Sequence, residues 1–261
     1  MAWLNWKWIN NKGCPLPGKT KSQVPAIDPA NLPRHIAVIM DGNGRWATAR
    51  RLPRTAGHRA GMSALKELVN ACGELGIPVL TVFAFSTENW KRPAEEVNFL
   101  MDLLVEYINR ELDELNSKGV KIRLLGEMET LPARVQEEIR RAIETTSKNK
   151  KLILNVALNY GGRREIILAA QKIGQKIREG TLEPENIDEE LFNNFLYTDR
   201  LPDPDLVIRP SGEMRISNFL LWQIAYAELW FSKVLWPDFK KEHLLEAIAE
   251  YQKRHRRFGG L

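Results

Sequence analysis

Asp41 directly follows an apolar run, Ile36 to Met40, and precedes a glycine-rich turn that ends on Arg45. The run is too short for a helical core and is bounded by turn residues, so it predicts a buried strand that ends at Asp41. Gly42 and Gly44 allow positive φ angles, and consecutive N–H groups can then converge on one anion. This indicates a phosphate site beside a metal-binding carboxylate. For this motif alone, an ordinary tight turn with Asp41 capping its own backbone is the favoured interpretation, and the rest of the chain changes that preference.

Two other predicted strands also end in polar side chains. After Val79 to Phe85 come Ser86, Glu88, Asn89 and Arg92, and after Leu206 to Ile208 come Arg209, Ser211, Arg215 and Ser217. Guanidinium groups bind phosphate oxygens in pairs, and hydroxyl groups add further donors. Ligands of open α/β sheets bind at the carboxyl ends of strands, so we expect these clusters to face one crevice. A salt-bridged surface loop is the alternative for the last cluster, although only Glu213 lies within it to pair with two arginines.

Helical spacing places a further basic group near that crevice. Apolar residues recur at helical intervals after His58, at Met62, Leu65, Val69, Cys72 and Leu75. They predict a helix with His58 in its first turn, where the helix dipole favours a bound anion. A capping or core histidine is the alternative, but the neighbouring Arg54 favours phosphate contact.

A long helix is predicted from Pro93 to about Ser117, because proline suits the first helical position. It carries two apolar stripes: Val97, Leu100, Met101, Leu104, Ile108, Leu112 and Leu115 in one, and Phe99, Leu103 and Tyr107 in the other. A helix that is apolar on two faces is packed on both or lines an apolar cavity. From this helix alone, a core or dimer helix is the favoured interpretation, and the wall of a lipid-binding cavity is the alternative.

The rest of the chain continues the alternation of strand and helix. Val120 to Gly126 and Leu152 to Tyr160 predict strands, Pro132 to Ser147 predicts a helix, and the Gly161–Gly162 pair opens another. Glu228 lies in an apolar context and needs a partner, for which a cation is suitable. Together with Asp41 it predicts a site for Mg²⁺, which takes oxygen ligands and often bridges carboxylates to substrate phosphates.

Composition sets wider limits. The chain has 261 residues, a formal net charge of +5 and a pI of about 9.2, which indicates an anionic partner. Cys14 and Cys72 are too few for a disulfide framework, so a reducing cytoplasm is expected, and no apolar run is long enough for a membrane span. Residues 1–34, rich in tryptophan and proline, predict a mobile extension, and residues 35–261 predict one catalytic domain.

The motifs MDGNGRWA, GHRAG, FAFSTENWKRP, NYGGR and RPSGEMRISNFLLWQIAYAELWF resemble, in the same order, the signature segments of the cis-prenyltransferases. The resemblance runs from about His35 to the C-terminus. It departs at Pro210, where the family more usually has threonine, and in the first 34 residues, which have no clear counterpart. It implies an open, mainly parallel α/β sheet of about six strands, flanked by helices and holding a hydrophobic tunnel.

The resemblance also implies a reaction. Isopentenyl diphosphate would condense with an allylic diphosphate such as farnesyl diphosphate, giving a long cis-polyprenyl diphosphate such as undecaprenyl diphosphate. Asp41 would be the catalytic carboxylate and, with Glu228, would hold Mg²⁺. Asn89 matches the residue assigned to proton removal, but an amide is a poor base, so we interpret it as positioning the departing proton. The residues implied in substrate binding are Gly42, Asn43, Gly44, Arg45, Trp46, Arg54, His58, Ser86, Thr87, Glu88, Trp90, Arg92, Arg209, Arg215, Ile216 and Ser217.

Further expectations follow from the same resemblance. The resemblance implies a homodimer. Peripheral membrane contact is expected from the apolar product and the tryptophan-bearing N-terminus, and no nucleic-acid partner is expected. A C-terminal motif, Arg257 to Gly259, would reach the partner subunit's site. Ala84, Leu152 and the second stripe of the long helix would shape the tunnel, while product length is left open.

Three alternatives compete with this interpretation. A nucleotide-dependent phosphotransferase is disfavoured because the chain lacks GxxxxGK[ST] and GxGxxG, and because the glycine turn is not expected to open a clear helix. A nucleic-acid-binding protein is disfavoured because the arginines cluster at strand ends. A non-catalytic subunit of a two-chain prenyltransferase would be expected to lack the carboxylate and the glycine turn, and both are present.

Overall fold

The computed structural model describes residues 25–254, so the predictions for the N-terminal extension before residue 25 and for Arg257 to Gly259 lie outside the described residues. Its strands are β1 (His35–Ile39), β2 (Val79–Ser86), β3 (Val120–Leu125), β4 (Leu152–Tyr160), β5 (Leu206–Arg209) and β6 (Glu228–Phe231). Its α-helices are α1 (Asn43–Ala49), α2 (Arg54–Leu75), α3 (Ala94–Ser117), α4 (Ala133–Thr146), α5 (Gly162–Arg178), α6 (Glu189–Asn193) and α7 (Lys241–Gln252).

All six strands form one parallel sheet in the order β3-β4-β2-β1-β5-β6. The chain leaves β1 for β2 on one side and later returns to place β5 on the other side. Such a reversal opens a crevice at the carboxyl ends of the strands, where no connection crosses. The predicted open α/β sheet is thus confirmed.

Successive residues of β1 enter different clusters of the core. Ile36 and Val38 pack with α2 and α7, whereas Ala37 and Ile39 pack with Tyr160 and its neighbours. Since side chains of a strand alternate between its two faces, both faces of the sheet are covered. This explains why the strands are continuous apolar runs instead of alternating patterns.

Two predictions about helix starts are wrong. The glycine turn does open a helix, because α1 begins at Asn43, one residue after Gly42. Helix α2 begins at Arg54, so His58 lies in its second turn and not in its first. In both cases the capping position has no side-chain hydrogen bond, so the usual sequence signal for a helix start is missing.

The favoured interpretation of α3 as a core helix holds for part of its surface, because Val97, Met101, Tyr107 and Leu115 belong to the buried core, but the same helix also forms a cavity wall. Much of α3, from Leu100 to Leu115, lines an apolar cavity between this helix, α2 and the sheet. Across the cavity lie Met62 and Leu65 of α2 and Leu154 of β4. Periodicity shows only that both faces avoid water, and the space between helices is a tertiary property. Among the described residues, no helix is both long and apolar enough to span a bilayer.

Candidate active site

A polar pocket lies where β1, β2 and β5 end. The structure brings thirteen of the predicted site residues to its walls: Asp41, Gly42, Asn43, Gly44, Arg45, Arg54, His58, Ser86, Asn89, Arg92, Arg209, Arg215 and Ser217. They come from four separate segments of the chain. The three strand ends therefore converge, as the parallel topology requires.

Asp41 lines the pocket and is paired with two arginines. Arg209 Nη2 donates to its Oδ2 at 2.8 Å, and Arg45 Nη2 lies 3.3 Å from its Oδ1. Burial acts to raise the pKa of Asp41, but hydrogen bonds from Arg209 and Ser211 and the charges of Arg209 and Arg45 outweigh it and lower the pKa. Asp41 is therefore ionised throughout the neutral range.

Gly42 shapes the turn that follows. Its φ is 108°, in the region that side chains rarely adopt, and an added Cβ would lie 3.1 Å from Leu235 Cδ2. The turn leads directly into α1, so the free N–H groups of the helix start face the pocket region. Trp236 N donates to the Asp41 carbonyl at 3.0 Å and holds the turn from behind.

His58 forms a second charged group with a residue that the sequence analysis missed. Glu96 Oε1 lies 3.4 Å from His58 Nε2, 3.1 Å from Arg92 Nη1 and 3.6 Å from Arg54 Nη2. Burial is the largest effect on His58 and lowers its pKa, although Glu96 opposes this. The spacing of Glu96, four residues after Arg92 in the first turn of a predicted helix, was the available signal.

Asn89 has a structural task in this arrangement. Thr87–Lys91 forms a 3₁₀ turn, and a capping box joins Ser86 to Asn89 at its start. Asn89 Oδ1 accepts the backbone N–H of Ser86 at 3.0 Å. Its carbonyl oxygen is thus occupied, which agrees with Asn89 as a positioning group instead of a base.

Arg209 joins the two halves of the pocket. Besides Asp41, its guanidinium contacts Ser217 Oγ at 2.8 Å and the carbonyl of Arg215. Arg215 itself is exposed and paired with Glu213, which Arg45 also contacts. The loop after β5 is therefore tied to the turn after β1 through three arginines.

Five predicted binding residues do not line the pocket: Trp46, Thr87, Glu88, Trp90 and Ile216. Trp46 donates to Asp238 at 2.7 Å and carries the Arg50 guanidinium over its ring. Ile216 packs against the core. Their positions support the pocket from outside.

Glu228 does not meet Asp41 within the chain. It starts β6, in register with Leu206, which in turn is in register with Ile36, and its carboxylate pairs with Arg254 at 2.7 Å. Asp41 is five positions after Ile36, which corresponds to a distance on the order of 15 Å along the strand. The prediction that the two carboxylates share one ion is wrong for a single chain. Sequence spacing could not show that Glu228 begins its strand whereas Asp41 follows one.

The polar pocket opens into the apolar cavity. Residues common to the walls of both are Met40, Asn43, His58, Phe83, Ala84, Phe85 and Leu100. Beyond them the cavity wall is almost entirely apolar and continues to Leu112 and Leu115 near the end of α3. The arrangement suits a substrate with an anionic head and a long hydrocarbon body.

A parallel α/β sheet with a cationic pocket above a hydrocarbon cavity defines a class of enzymes that act on diphosphate esters of apolar alcohols. Residues 39–259 match the model of a family described as putative undecaprenyl diphosphate synthase. The chain belongs to this family and is an isoprenyl transferase of the cis-prenyltransferase type.

Individual relatives agree with this assignment. The chain is 57% identical to an isoprenyl transferase of Heliobacterium mobile, over 90% of both chains, and 51% identical to one of Bacillus subtilis (strain 168), over 98% of both. It also resembles the crystal structure of lavandulyl diphosphate synthase from Lavandula x intermedia in complex with dimethylallyl diphosphate. The TM-score is 0.85 at 38% identity, with 87% of this chain and 98% of that one covered.

Proposed function

We propose that the enzyme condenses isopentenyl diphosphate with an allylic diphosphate, farnesyl diphosphate in the simplest case, to make a long cis-polyprenyl diphosphate such as undecaprenyl diphosphate. The observation that supports this most is the continuity of the polar pocket with the apolar cavity. The first would take the diphosphate groups, and the second would take a chain that lengthens with each addition.

The residues divide between the two diphosphates by position. The turn from Gly42 to Arg45, with Arg54 and His58, lies at the mouth of the cavity and would bind the allylic diphosphate. Arg209, Arg215 and Ser217 lie on the other side of Asp41 and would bind isopentenyl diphosphate. Because the donors are already in place, they stabilise the charge that grows on the leaving diphosphate.

Asp41 would act where the two groups meet. Its carboxylate, held ionised by Arg209 and Arg45, stabilises the allylic carbon as it becomes cationic and orients the arginines. The isopentenyl double bond then attacks this carbon, and a proton is lost from the new chain. Ser86 and Asn89 face this region and position the departing proton, for which the released diphosphate is the stronger base.

Mg²⁺ fits the donors at Asp41. The residues that the structure describes contain no group of three or more acidic, histidine or cysteine side chains, which a metal site built of protein alone would need. Mg²⁺ usually takes only one or two carboxylates and completes its shell with waters and substrate phosphates. Asp41 supplies one from the wall of the polar pocket. The ion would neutralise charge on the leaving diphosphate. Glu228 could join such a site only from a second chain.

A homodimer, peripheral membrane contact and a cytoplasmic location complete the proposal. The edge strand β6 exposes Leu229, and Met214 and Tyr226 nearby in sequence are also exposed, which supports a protein interface there. Lys148, Lys150 and Lys151 are exposed before β4, at the sheet end where the cavity is deepest, which supports contact with anionic lipid.

In the decisive experiment, the enzyme is incubated with labelled isopentenyl diphosphate, farnesyl diphosphate and Mg²⁺. The product is then dephosphorylated and analysed by chromatography. We expect a ladder of polyprenols, and we expect EDTA to abolish incorporation and excess Mg²⁺ to restore it. No incorporation with any allylic diphosphate from the dimethylallyl to the geranylgeranyl ester would refute the substrates.

A further inference from the structure

The 3₁₀ turn Thr87–Lys91, with Ser86 before it, divides its side chains between two sides. Ser86 and Asn89 line the polar pocket, whereas Glu88 and Trp90 do not. Both of the outward residues are nevertheless fixed by hydrogen bonds to asparagines of other segments. The position of the inward residues therefore depends on what holds the outward ones.

Asn159, the penultimate residue of strand β4, holds Trp90. Its Oδ1 accepts the indole N–H of Trp90 at 2.7 Å, and its Nδ2 donates to the carbonyl of Glu127 and to Thr130 Oγ1 at 2.9 and 2.6 Å. Asn159 is only 5% exposed, and the Trp90 ring packs edge-on against Phe85 with centroids 5.1 Å apart. A buried amide with all of these bonds made is a rigid support.

Asn218, directly after Ser217, holds Glu88. Its Nδ2 donates to Glu88 Oε1 at 2.9 Å, and its Oδ1 accepts the backbone N–H of Arg163 at 2.9 Å. Burial acts to raise the pKa of Glu88, but hydrogen bonds from its own backbone and from Asn218, Ser86 and Thr87 lower it. The contact links the turn to the loop that carries Arg215 and Ser217.

The backbone at both asparagines is unusual in the same way. Asn159 has φ of 51° and Asn218 has φ of 65°, in the left-handed region that asparagine tolerates better than most residues. The neighbouring Gly161 permits the close approach, since an added Cβ would lie 2.7 Å from Thr87 Oγ1 and 2.9 Å from Asn218 Nδ2. Residues held in this region cluster where a site demands a particular shape.

We propose that Asn159 and Asn218 are positioning residues that clamp the Thr87–Lys91 turn, so that Ser86 and Asn89 stay aligned with the isopentenyl half of the pocket. Neither asparagine touches substrate in this scheme. The inference rests on the proposed function for its kinetic readout. The clamp itself is a physical property that can be measured without substrates.

The first test exchanges donor and acceptor. Asn218→Asp keeps the oxygen that accepts from Arg163 but sets a carboxylate against Glu88, and we expect kcat/KM to fall about tenfold, the typical effect of losing a hydrogen bond to a charged group. In the Glu88→Gln background the Gln amide can donate to the introduced carboxylate. Asn218→Asp should therefore lower kcat/KM by less than about twofold in that background. Asn70→Asp, on α2, is the matched control because its Oδ1 accepts from Lys118 and keeps that bond.

The second test removes the other support. Asn159→Gly permits the left-handed backbone but deletes all three side-chain bonds, and Trp90→Phe removes the indole donor and one ring while keeping an aromatic side chain beside Phe85. We expect about a 30-fold and about a fivefold fall in kcat, with little further loss in the double variant because both act through one bond network. The affinity for the allylic diphosphate alone should stay within about twofold, since the Gly42–Arg45 turn is not part of the clamp.

Amide hydrogen exchange of residues 86–91, measured without substrate, separates the clamp from the reaction. Exchange should be faster in Asn218→Asp and Asn159→Gly and should return to the wild-type rate in Asn218→Asp with Glu88→Gln. The clamp would be overturned if Asn218→Asp lowered kcat/KM equally in the wild-type and Glu88→Gln backgrounds, or if the exchange rates of residues 86–91 did not change. The two proposals can fail separately. If the wild type makes no polyprenyl product but the exchange rate is restored in the double variant, the proposed function is refuted and the clamp is supported.

Discussion

Polar groups occur at both ends of the sheet, and the two groups differ in how completely they are satisfied. At the amino end, His35 Nδ1 donates to the Pro202 carbonyl, and His35 Nε2 accepts from Thr81, each at 2.7 Å. At the carboxyl end, Asn43 Oδ1 and Arg209 Nε are buried without a hydrogen-bond partner, and His58 Nε2 has only an ion contact, 3.4 Å from Glu96 Oε1. All three residues line the polar pocket.

The difference separates a structural cluster from a binding site. The network of neutral groups and one carboxylate at the amino end stabilises the strand ends, and within it Asn155 Oδ1, on the amide that donates to Thr81, lacks a partner. Buried polar atoms without partners cost free energy of folding, so a protein retains them where a ligand supplies the missing bonds. Polar residues therefore stabilise the fold at the amino end of the sheet and form a binding site at its carboxyl end, about one strand length away.

The largest expected effect contrasts the two aspartates. Asp41→Ala should lower kcat by about 10³-fold while the protein stays folded, because it removes preorganised charge from the reacting groups. Asp205→Ala, at the amino end, removes the acceptor of the Arg34 and His35 backbone N–H groups and should cost about 2 kcal/mol of stability. Steady-state rates per folded molecule measure the fall in kcat, and urea unfolding measures the loss of stability. Near-normal activity of Asp41→Ala would contradict its role.

A smaller effect is expected from His35 as the pH falls. Burial lowers the pKa of His35 from 6.5 to about 4, opposed only in part by the Pro202 carbonyl and Asp205. Between these pH values the unfolded chain binds a proton that the folded chain does not, so stability is full above pH 6.5 and falls towards pH 4. The loss is about 3 kcal/mol.

Urea unfolding at several pH values checks this prediction. His35→Gln should be less stable than the wild type at neutral pH but should lack the histidine part of the decline, so that the gap narrows at low pH. If the free energy of unfolding of the two proteins declined in parallel as the pH falls, His35 would not be the titrating group.

The smallest effect is expected where pocket and cavity meet. Ala84 lines both, so Ala84→Leu should narrow the passage without touching the diphosphate donors. The first condensation should keep its rate within about twofold, because a few added methylene groups do not alter the charges, whereas the product ladder should stop at shorter chains. Chromatography resolves the two readouts, and an unchanged ladder would remove Ala84 from the tunnel wall.

Much of the site was predictable because its signals are local. Asp41, Gly42 and Arg45 stand together in the chain, and the apolar runs before Asp41 and Ser86 end where the strands end. Glu96 was missed because a single glutamate in a helical turn looks like a surface residue until His58 is seen beside it. Asn159 and Asn218 were missed because a positive φ in asparagine has no reliable sequence signal.

The amino-acid sequence alone determined the alternation of strand and helix, the phosphate-binding turn and the family, since these depend on periodicity and on ordered motifs. Only the tertiary structure decided that α3 lines a cavity and that Glu228 lies at the opposite end of the sheet from Asp41. Strand register and the empty space between helices arise from contacts between distant segments. Local patterns of polarity carry no information about either.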